Sequence, residues 1–210
     1  MNKFSKQINF LLKRFLDLML IILALPVMSI VIFLIAVLLK FESNGSVIFS
    51  QERVGQNGKI FRLYRFRTMY VDAEERLKVY LQKNDNAKNE WAQKWQLAAD
   101  PRVTRIGKFL RITALEEIPQ IFNILKGEMS FVGPRPALPY EVEHYTYWQR
   151  ERLKCKPGLT GLAQINFPNI HDLDDMIKMD IEYCSTQSIW LDLKIVLRTI
   201  SIVIRGKGGF

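Results

Sequence analysis

Apolar residues run almost unbroken from Phe15 to Leu39, FLDLMLIILALPVMSIVIFLIAVLL, with only Asp17 and Ser29 interrupting. At 1.5 Å of rise per residue such a helix is about 37 Å long, enough for a hydrocarbon core of roughly 30 Å. The run is too long for a signal peptide, and no small-residue cleavage site follows it. Pro26 sits at its middle, where it removes a backbone hydrogen bond and crowds the preceding turn, so a sharp kink is expected there.

Beyond the run, the period of the pattern changes. Ser43–Ser46 reads as a loop, Val47–Phe49 as a short strand and Gly55–Gly58 as a turn. IFRLYRFRTM, residues 60–69, interleaves apolar and basic residues and predicts a strand beside a charged face. Residues 72–98 are polar and helix-prone, with Trp91 and Trp95 one turn apart, on a face suited to core packing or to an interfacial contact. Asp100-Pro101 ends that segment. Ser188–Ile204 is apolar over most of its circumference but carries Asp192, Lys194 and Arg198, which suits a helix lying in the membrane interface or packed against the apolar run. There is no internal repeat and no low-complexity tract.

Charge adds a constraint on topology. The chain has 210 residues, with 30 Lys+Arg against 21 Asp+Glu and a net charge of +9. Such a balance favours anionic partners, and beside an apolar run of this length lipid headgroups and phosphorylated small molecules fit better than nucleic acid. Lys3, Lys6, Lys13 and Arg14 precede the run; Lys40, Arg53, Lys59, Arg62, Arg65 and Arg67 follow it. Both flanks are therefore drawn to the cytoplasmic side. A segment that enters, bends at Pro26 and returns satisfies both; a kinked spanning helix is the alternative, and the pattern alone leaves the two open. Cys155 and Cys184 are isolated in sequence, and with His144 and His171 they suggest neither a disulfide framework nor a zinc site, which fits a reducing compartment.

The chemistry concentrates between Arg102 and Pro136, RVTRIGKFLRITALEEIPQIFNILKGEMSFVGPRP. Arg102, Arg105, Lys108 and Arg111 recur every third residue, as on one helical face or a solvated basic wall. Thr113-Ala114-Leu115-Glu116 matches a capping box, but Pro119 would then damage the hydrogen-bond ladder. A helix beginning at Glu116 or Glu117 instead puts Pro119 in its first turn, with Ile118, Phe122 and Leu125 as the apolar stripe. Both carboxylates then lie where helix N–H groups favour anions. Gly127 ends the helix. In Gly133-Pro134-Arg135-Pro136 two prolines restrict the backbone around an arginine, which suits bidentate phosphate recognition or simply a rigid surface turn.

With these elements in view, the chain resembles the bacterial sugar transferases, monotopic polyprenyl-phosphate hexose-1-phosphate transferases that initiate exopolysaccharide and O-antigen synthesis. The resemblance rests on KRFLDLMLIILALP (13–26), GSVIFSQERVGQNGKIFRLYRFRTM (45–69), DPRVTRIGKFLRITALEEIPQIFNILKGEMSFVGPRP (100–136), KPGLTGLAQIN (156–166) and SIWLDLKIVLRT (188–199). It implies an α-rich α+β fold: a monotopic membrane protein with a Pro-bent re-entrant N-terminal helix (residues 1–40 with its flank), a small extended region, and a cytoplasmic helical catalytic domain (41–210) with interfacial amphipathic helices. The location it implies is the cytoplasmic face of the bacterial inner membrane. The implied partners are the bilayer, a UDP-sugar and polyprenyl phosphate, with no nucleic acid and with room for a homo-oligomer.

The resemblance further implies a two-step reaction assisted by Mg²⁺. A carboxylate attacks the sugar-bearing phosphate, UMP leaves, and undecaprenyl phosphate takes the phosphosugar. By resemblance Glu116 is the nucleophile, Glu117 holds Mg²⁺, Arg111 and Arg135 bind phosphate, Arg67 and Gln164 stand at the rim, and Pro26 is the membrane bend. Two departures stand out. The family's pair is usually Asp-Glu, here Glu116-Glu117, and Leu25 replaces the usual serine before the proline. Glutamate can form an acyl phosphate, although a displacement near 1 Å can cost about a hundredfold in rate. Retention of Arg111, Glu117 and Arg135 favours activity; a catalytically degenerate membrane scaffold for glycan assembly is the alternative.

Overall fold

The computed structural model describes residues 3–94, 97, 99–166 and 172–205. Trp95, His171 and the terminal glycines lie outside them. Helix α1, Lys3–Glu42, takes up the whole apolar run; Pro26 lies inside it and does not end it. It is long and apolar enough to cross a membrane, judged by length and composition. The basic, alternating segment that follows forms an antiparallel hairpin, β1 (Ile48–Val54) and β2 (Ile60–Phe66), paired from Ile48–Phe66 to Val54–Ile60. Its turn uses Asn57 at φ 57° and Gly58 at φ 78°.

Helices α2 (Ala73–Lys83) and α3 (Asp85–Lys94) fill the polar stretch. Trp91 lies under the Arg102 guanidinium, 4.9 Å from its centre, while Arg102 pairs with Asp100 at 2.7 Å. Helix α4, Arg105–Ile112, starts after Thr104, whose hydroxyl accepts from the Gly107 amide at 2.8 Å. Arg102 therefore precedes the helix, and the expected four-residue basic face is shorter: Arg105 and Lys108 are exposed, whereas Arg111 turns inward. Gly107 allows α4 to touch the chain after β2, since a Cβ there would come within 2.1 Å of the Thr68 carbonyl oxygen.

The carboxylate segment differs from the expected helix. Leu115–Gln120 is a 3-10 turn, and α5 covers only Ile121–Lys126, ending at Gly127 with φ 79°. The tighter turn rotates the pattern, so α5 buries Ile121, Asn123 and Ile124. Phe122 and Leu125, expected on the inner stripe, are exposed. Beyond it, β3 (Ser130–Val132) pairs in parallel with β4 (Gly158–Thr160), a bridge too short to announce itself in the pattern. Helix α6 (Pro139–Glu143), a 3-10 turn at Gln149–Lys154, and helices α7 (Leu162–Asn166), α8 (Leu173–Thr186) and α9 (Ile189–Ile204) complete the described chain. Asp172 and Ser188 cap α8 and α9. Cys155 and Cys184, isolated in sequence, are neighbours with free thiols, and Cys184 Sγ donates to the Arg152 carbonyl at 3.6 Å.

Helix α1 is fastened at both ends to this one body. Near its start Lys13 pairs with Asp192 of α9 at 2.5 Å, Arg14 donates to the Ile124 and Leu125 carbonyls, and Asp17 accepts from Ser130 and the Phe131 amide. Near its end Arg67 donates to the Leu39, Ser43 and Asn44 carbonyls, and Glu42 accepts from the Ile106 amide of α4 at 2.9 Å. Ile21 packs with Phe61, Leu63 and Ile124, while Ile35 and Leu39 pack with Phe66 and Leu110. The opposite face, with Ile22, Leu23, Val27, Ile30 and Phe33, is exposed.

Candidate active site

Three backbone features bring the carboxylates into position. Thr113 ends α4 by bonding back to the Phe109 and Leu110 carbonyls, so it closes the preceding helix and does not open a capping box. Ala114 then takes a left-handed conformation, φ 55° and ψ 16°. That conformation is uncommon outside glycine and asparagine, and it redirects the chain into the 3-10 turn. Pro119 follows with its ring buried and stiffens the turn.

The turn packs against β2, and the contact places Glu116 and Glu117 on different cavities. Glu116 lines an open cleft of about 1280 Å³ together with Arg65, Arg67, Thr68 and Arg111. Glu117 lines a small cavity of about 40 Å³ with Arg53, Arg65, Gln120, Arg135 and Gln164. Arg65 belongs to both walls, and its Nη2 lies 2.6 Å from Glu117 Oε1. Arg111 is held by its Nε, 3.0 Å from the Thr68 hydroxyl. The site is therefore a pair of adjacent carboxylates in a wall of guanidinium groups.

Their electrostatics differ. Burial, and then the charge of Glu117, push the Glu116 carboxyl up to about 7, against the pull of Arg65 and Arg111. Its Oε2 is buried and, among the described residues, has no hydrogen-bond partner. Burial likewise lowers Arg111, with Glu116 holding it up. Arg53 is pushed down to about 10 by burial and by the charges of Arg135 and Arg65. Among the described residues Gln120 Nε2 and Gln164 Oε1 are also buried and unpaired. A wall with surplus positive charge and unmet polar atoms is arranged to receive an anion with several oxygens.

The sequence-derived residues thus divide. Glu116, Arg111 and Arg67 meet at the open cleft; Glu117, Arg135 and Gln164 meet at the small cavity. Arg67, although on the cleft wall, spends its guanidinium on the carbonyls at the end of α1. Pro26 lies far along the chain within α1. Sequence reading passed over Arg65, Arg53, Thr68 and Gln120. Arg65 had a signal, since its strand abuts a charged face, but alternation could not say which basic residue met a carboxylate.

No group of three or more His, Cys, Asp or Glu able to hold a metal occurs among the described residues. Mg²⁺ asks for less, usually one or two carboxylates plus substrate phosphates. The Glu117 carboxylate, paired with Arg65 through Oε1 and lining the small cavity with Arg135 and Gln164, fits that mode.

A sequence model of the bacterial sugar transferases matches residues 8–206. The chain belongs to that family. This bacterial sugar transferase is 46% identical over 208 residues to the galactosyl transferase CpsE of Streptococcus agalactiae serotype III, covering 98% of this chain and 45% of the relative. It is 37% identical over 213 residues to the undecaprenyl-phosphate galactose phosphotransferase of Salmonella typhimurium, covering 100% of this chain and 44% of that protein. The exopolysaccharide production protein ExoY of Sinorhizobium fredii is 38% identical over 198 residues, 94% of this chain and 88% of the relative. The family member thus spans less than half the length of the first two relatives and most of the third.

Proposed function

We propose that the protein is a membrane-bound phosphoglycosyl transferase that moves a sugar 1-phosphate from a UDP-sugar to undecaprenyl phosphate, releasing UMP, as the first membrane step of a polysaccharide. The observation that carries this reading is Glu116: a half-buried carboxylate on the wall of an open cleft beside Arg65 and Arg111, with no side-chain partner on its buried Oε2 among the described residues. The names of relatives, among them undecaprenyl-phosphate galactose and glucose phosphotransferases, supply the substrate class.

In this mechanism a Glu116 oxygen attacks the sugar-bearing phosphorus. The bond from that phosphorus to the bridging oxygen breaks, and UMP leaves with that oxygen. An oxygen of undecaprenyl phosphate then attacks the same phosphorus, the acyl phosphate bond breaks, and the Glu116 carboxylate is regenerated. A group titrating at about 7 is substantially ionised at neutral pH and keeps a basic, reactive oxygen. Arg65 and Arg111 offset phosphate charge on the cleft side and Arg135 on the other. Glu117, with Arg65 on one oxygen, is held rigidly beside the nucleophile. Glu117 would hold Mg²⁺, which would supply charge neutralisation to the transferred phosphate.

The membrane arrangement proposed is monotopic and cytoplasmic, with α1 entering and returning on one side. Its support is that Lys13, Arg14 and Asp17 at one end and Leu39–Asn44 at the other bond to the same polar body. A spanning path would require that body to reach both faces of a bilayer. A second apolar surface on α9, Trp190, Leu193, Leu197, Ile200 and Ile204, recurs at intervals of three and four and is exposed, as an interfacial helix requires.

Purified protein in lipid nanodiscs with undecaprenyl phosphate, Mg²⁺ and a panel of UDP-hexoses and UDP-N-acetylhexosamines should release UMP with one donor and form a labelled lipid. Absence of lipid product across the panel, with glycan output in cells still dependent on the protein, would replace this reading with the scaffold role.

A further inference from the structure

Arg135 is exposed at the mouth of the small cavity, yet it stands on one of the most constrained stretches of the chain. Four successive carbonyls around it are each taken by a donor from elsewhere. Pro134 accepts from the Gly158 amide at 2.9 Å, Arg135 from Arg152 Nη2 at 3.0 Å, Pro136 from Arg53 Nη1 at 3.1 Å, and Ala137 from the Val54 amide at 2.9 Å. Two of those donors belong to backbone bridges, as expected where short strands meet. The other two are buried arginine side chains, which is not what a surface turn needs.

Arg152 is the more telling of them. It is 2% exposed, and its partner Asp180 on α8 is wholly buried. Its Nη1 donates to the Tyr145 hydroxyl at 2.6 Å, and its Nη2 to both Asp180 and the Arg135 carbonyl. Desolvating two charges is expensive, and well-packed apolar residues in place of such a pair are often equally or more stabilising. Stability alone therefore does not account for it. A guanidinium fork, fixed by a carboxylate on one side, does what an apolar residue cannot: it holds a carbonyl at a set point. Arg135 also lies close enough that its charge acts on Asp180.

We infer that Arg152, oriented by Asp180 and Tyr145, is a positioning residue that sets the backbone under Arg135 so that the Arg135 guanidinium meets the substrate phosphate at a fixed place. This rests on the phosphoryl-transfer reading above. It assigns to Arg152 no contact with substrate.

The test is a coupling cycle on UMP release. The combined variant Tyr145→Phe, Arg152→Met and Asp180→Leu replaces the network with apolar groups of similar size and is expected to fold, with a melting temperature near that of the native protein. Its kcat/KM should fall by about 10- to 100-fold, in keeping with a small displacement of a phosphate ligand. Added to Arg135→Ala, the same three changes should cause almost no further loss, because the residue they position is gone. A full additional loss in the Arg135→Ala background, or a native kcat/KM in the folded triple variant, overturns the inference. Should the triple variant not fold, Arg152→Lys enters the same cycle; it keeps the charge beside Asp180 but lacks the fork. Hydrogen exchange of the peptide covering 130–138 supplies a readout independent of turnover. Faster exchange there, with β1 unchanged, is expected in either variant, and unchanged exchange overturns the inference even if the native protein turns over none of the UDP-sugars.

Discussion

Arg65 Nη2 and Glu117 Oε1 lie 2.6 Å apart, and this pairing separates the roles of two carboxylates that are adjacent in sequence. Glu117 receives a guanidinium from β2, while Glu116 lines the open cleft with its Oε2 buried and, among the described residues, unpaired. One carboxylate is thereby held and the other left available. Arg65→Met should free Glu117 and lower kcat/KM by about 10- to 100-fold, within the range found when an electrostatic group beside a transferring phosphate is lost. Combined with Glu117→Gln, the losses should be well short of additive, as read by steady-state UMP release.

Glu116→Gln should abolish UMP release without lowering the melting temperature, because it removes a carboxylate that burial opposes. Glu116→Asp should retain measurable turnover, since the nucleophile type is kept. A melting temperature lowered by Glu116→Gln at pH 8 would contradict the assigned environment.

The raised Glu116 carboxyl also fixes a sign. In the folded protein it titrates at about 7, against 4.5 ordinarily. Between those values the folded state holds more protons than the unfolded state, so this group's contribution to stability falls as pH rises through that window. The melting temperatures of native protein and Glu116→Gln should therefore converge below about pH 4.5 and separate above about pH 7. Over the same upper range kcat/KM should rise with pH through about 7 as the nucleophile ionises, in a pH–rate profile taken with Mg²⁺ held constant.

Arg67→Ala should act on stability first. It removes a buried cation from carbonyls at the end of α1. A loss of about 2–3 kcal/mol is expected, from the worth of hydrogen bonds to charged groups and the penalty of unpaired acceptors. Denaturant melts of detergent-solubilised protein measure it.

For topology, cysteines placed at Ser5 and at Ser46 in a Cys155→Ala, Cys184→Ala background should both resist an impermeant thiol reagent in intact cells. Labelling at Ser5 alone would mean a spanning α1.

Much of the architecture was legible in the chain because the relevant signals were local. The apolar run from Phe15 to Leu39, the turn at Gly55–Gly58 and the end of α5 at Gly127 follow from hydropathy and backbone freedom. The carboxylate turn was harder. No glycine marks the left-handed residue at Ala114, so the onset of a 3-10 turn was hidden, and an α-helical wheel set Phe122 and Leu125 on the wrong face. Glu116, Glu117, Arg111 and Arg135 stand out by motif, and in the structure they line two cavities. Arg65 was not found as a site residue, because a basic residue in a basic strand acquires its partner only when the strand packs on the turn. The same holds for Arg152 and Asp180, which are separated by 28 positions and meet only in the folded protein.

The stretch Arg65–Thr68 has a mechanical consequence. Arg65 grips Glu117, Arg67 grips the end of α1, and Thr68 grips Arg111. Four consecutive residues, about 13 Å of extended chain, thus tie the apolar helix to both sides of Glu116. On the proposed mechanism, with α1 in lipid, these links would work as a depth gauge. They would set how far above the hydrocarbon the attack occurs, so that an acceptor would be selected by the height at which its phosphate rides as well as by its chemistry.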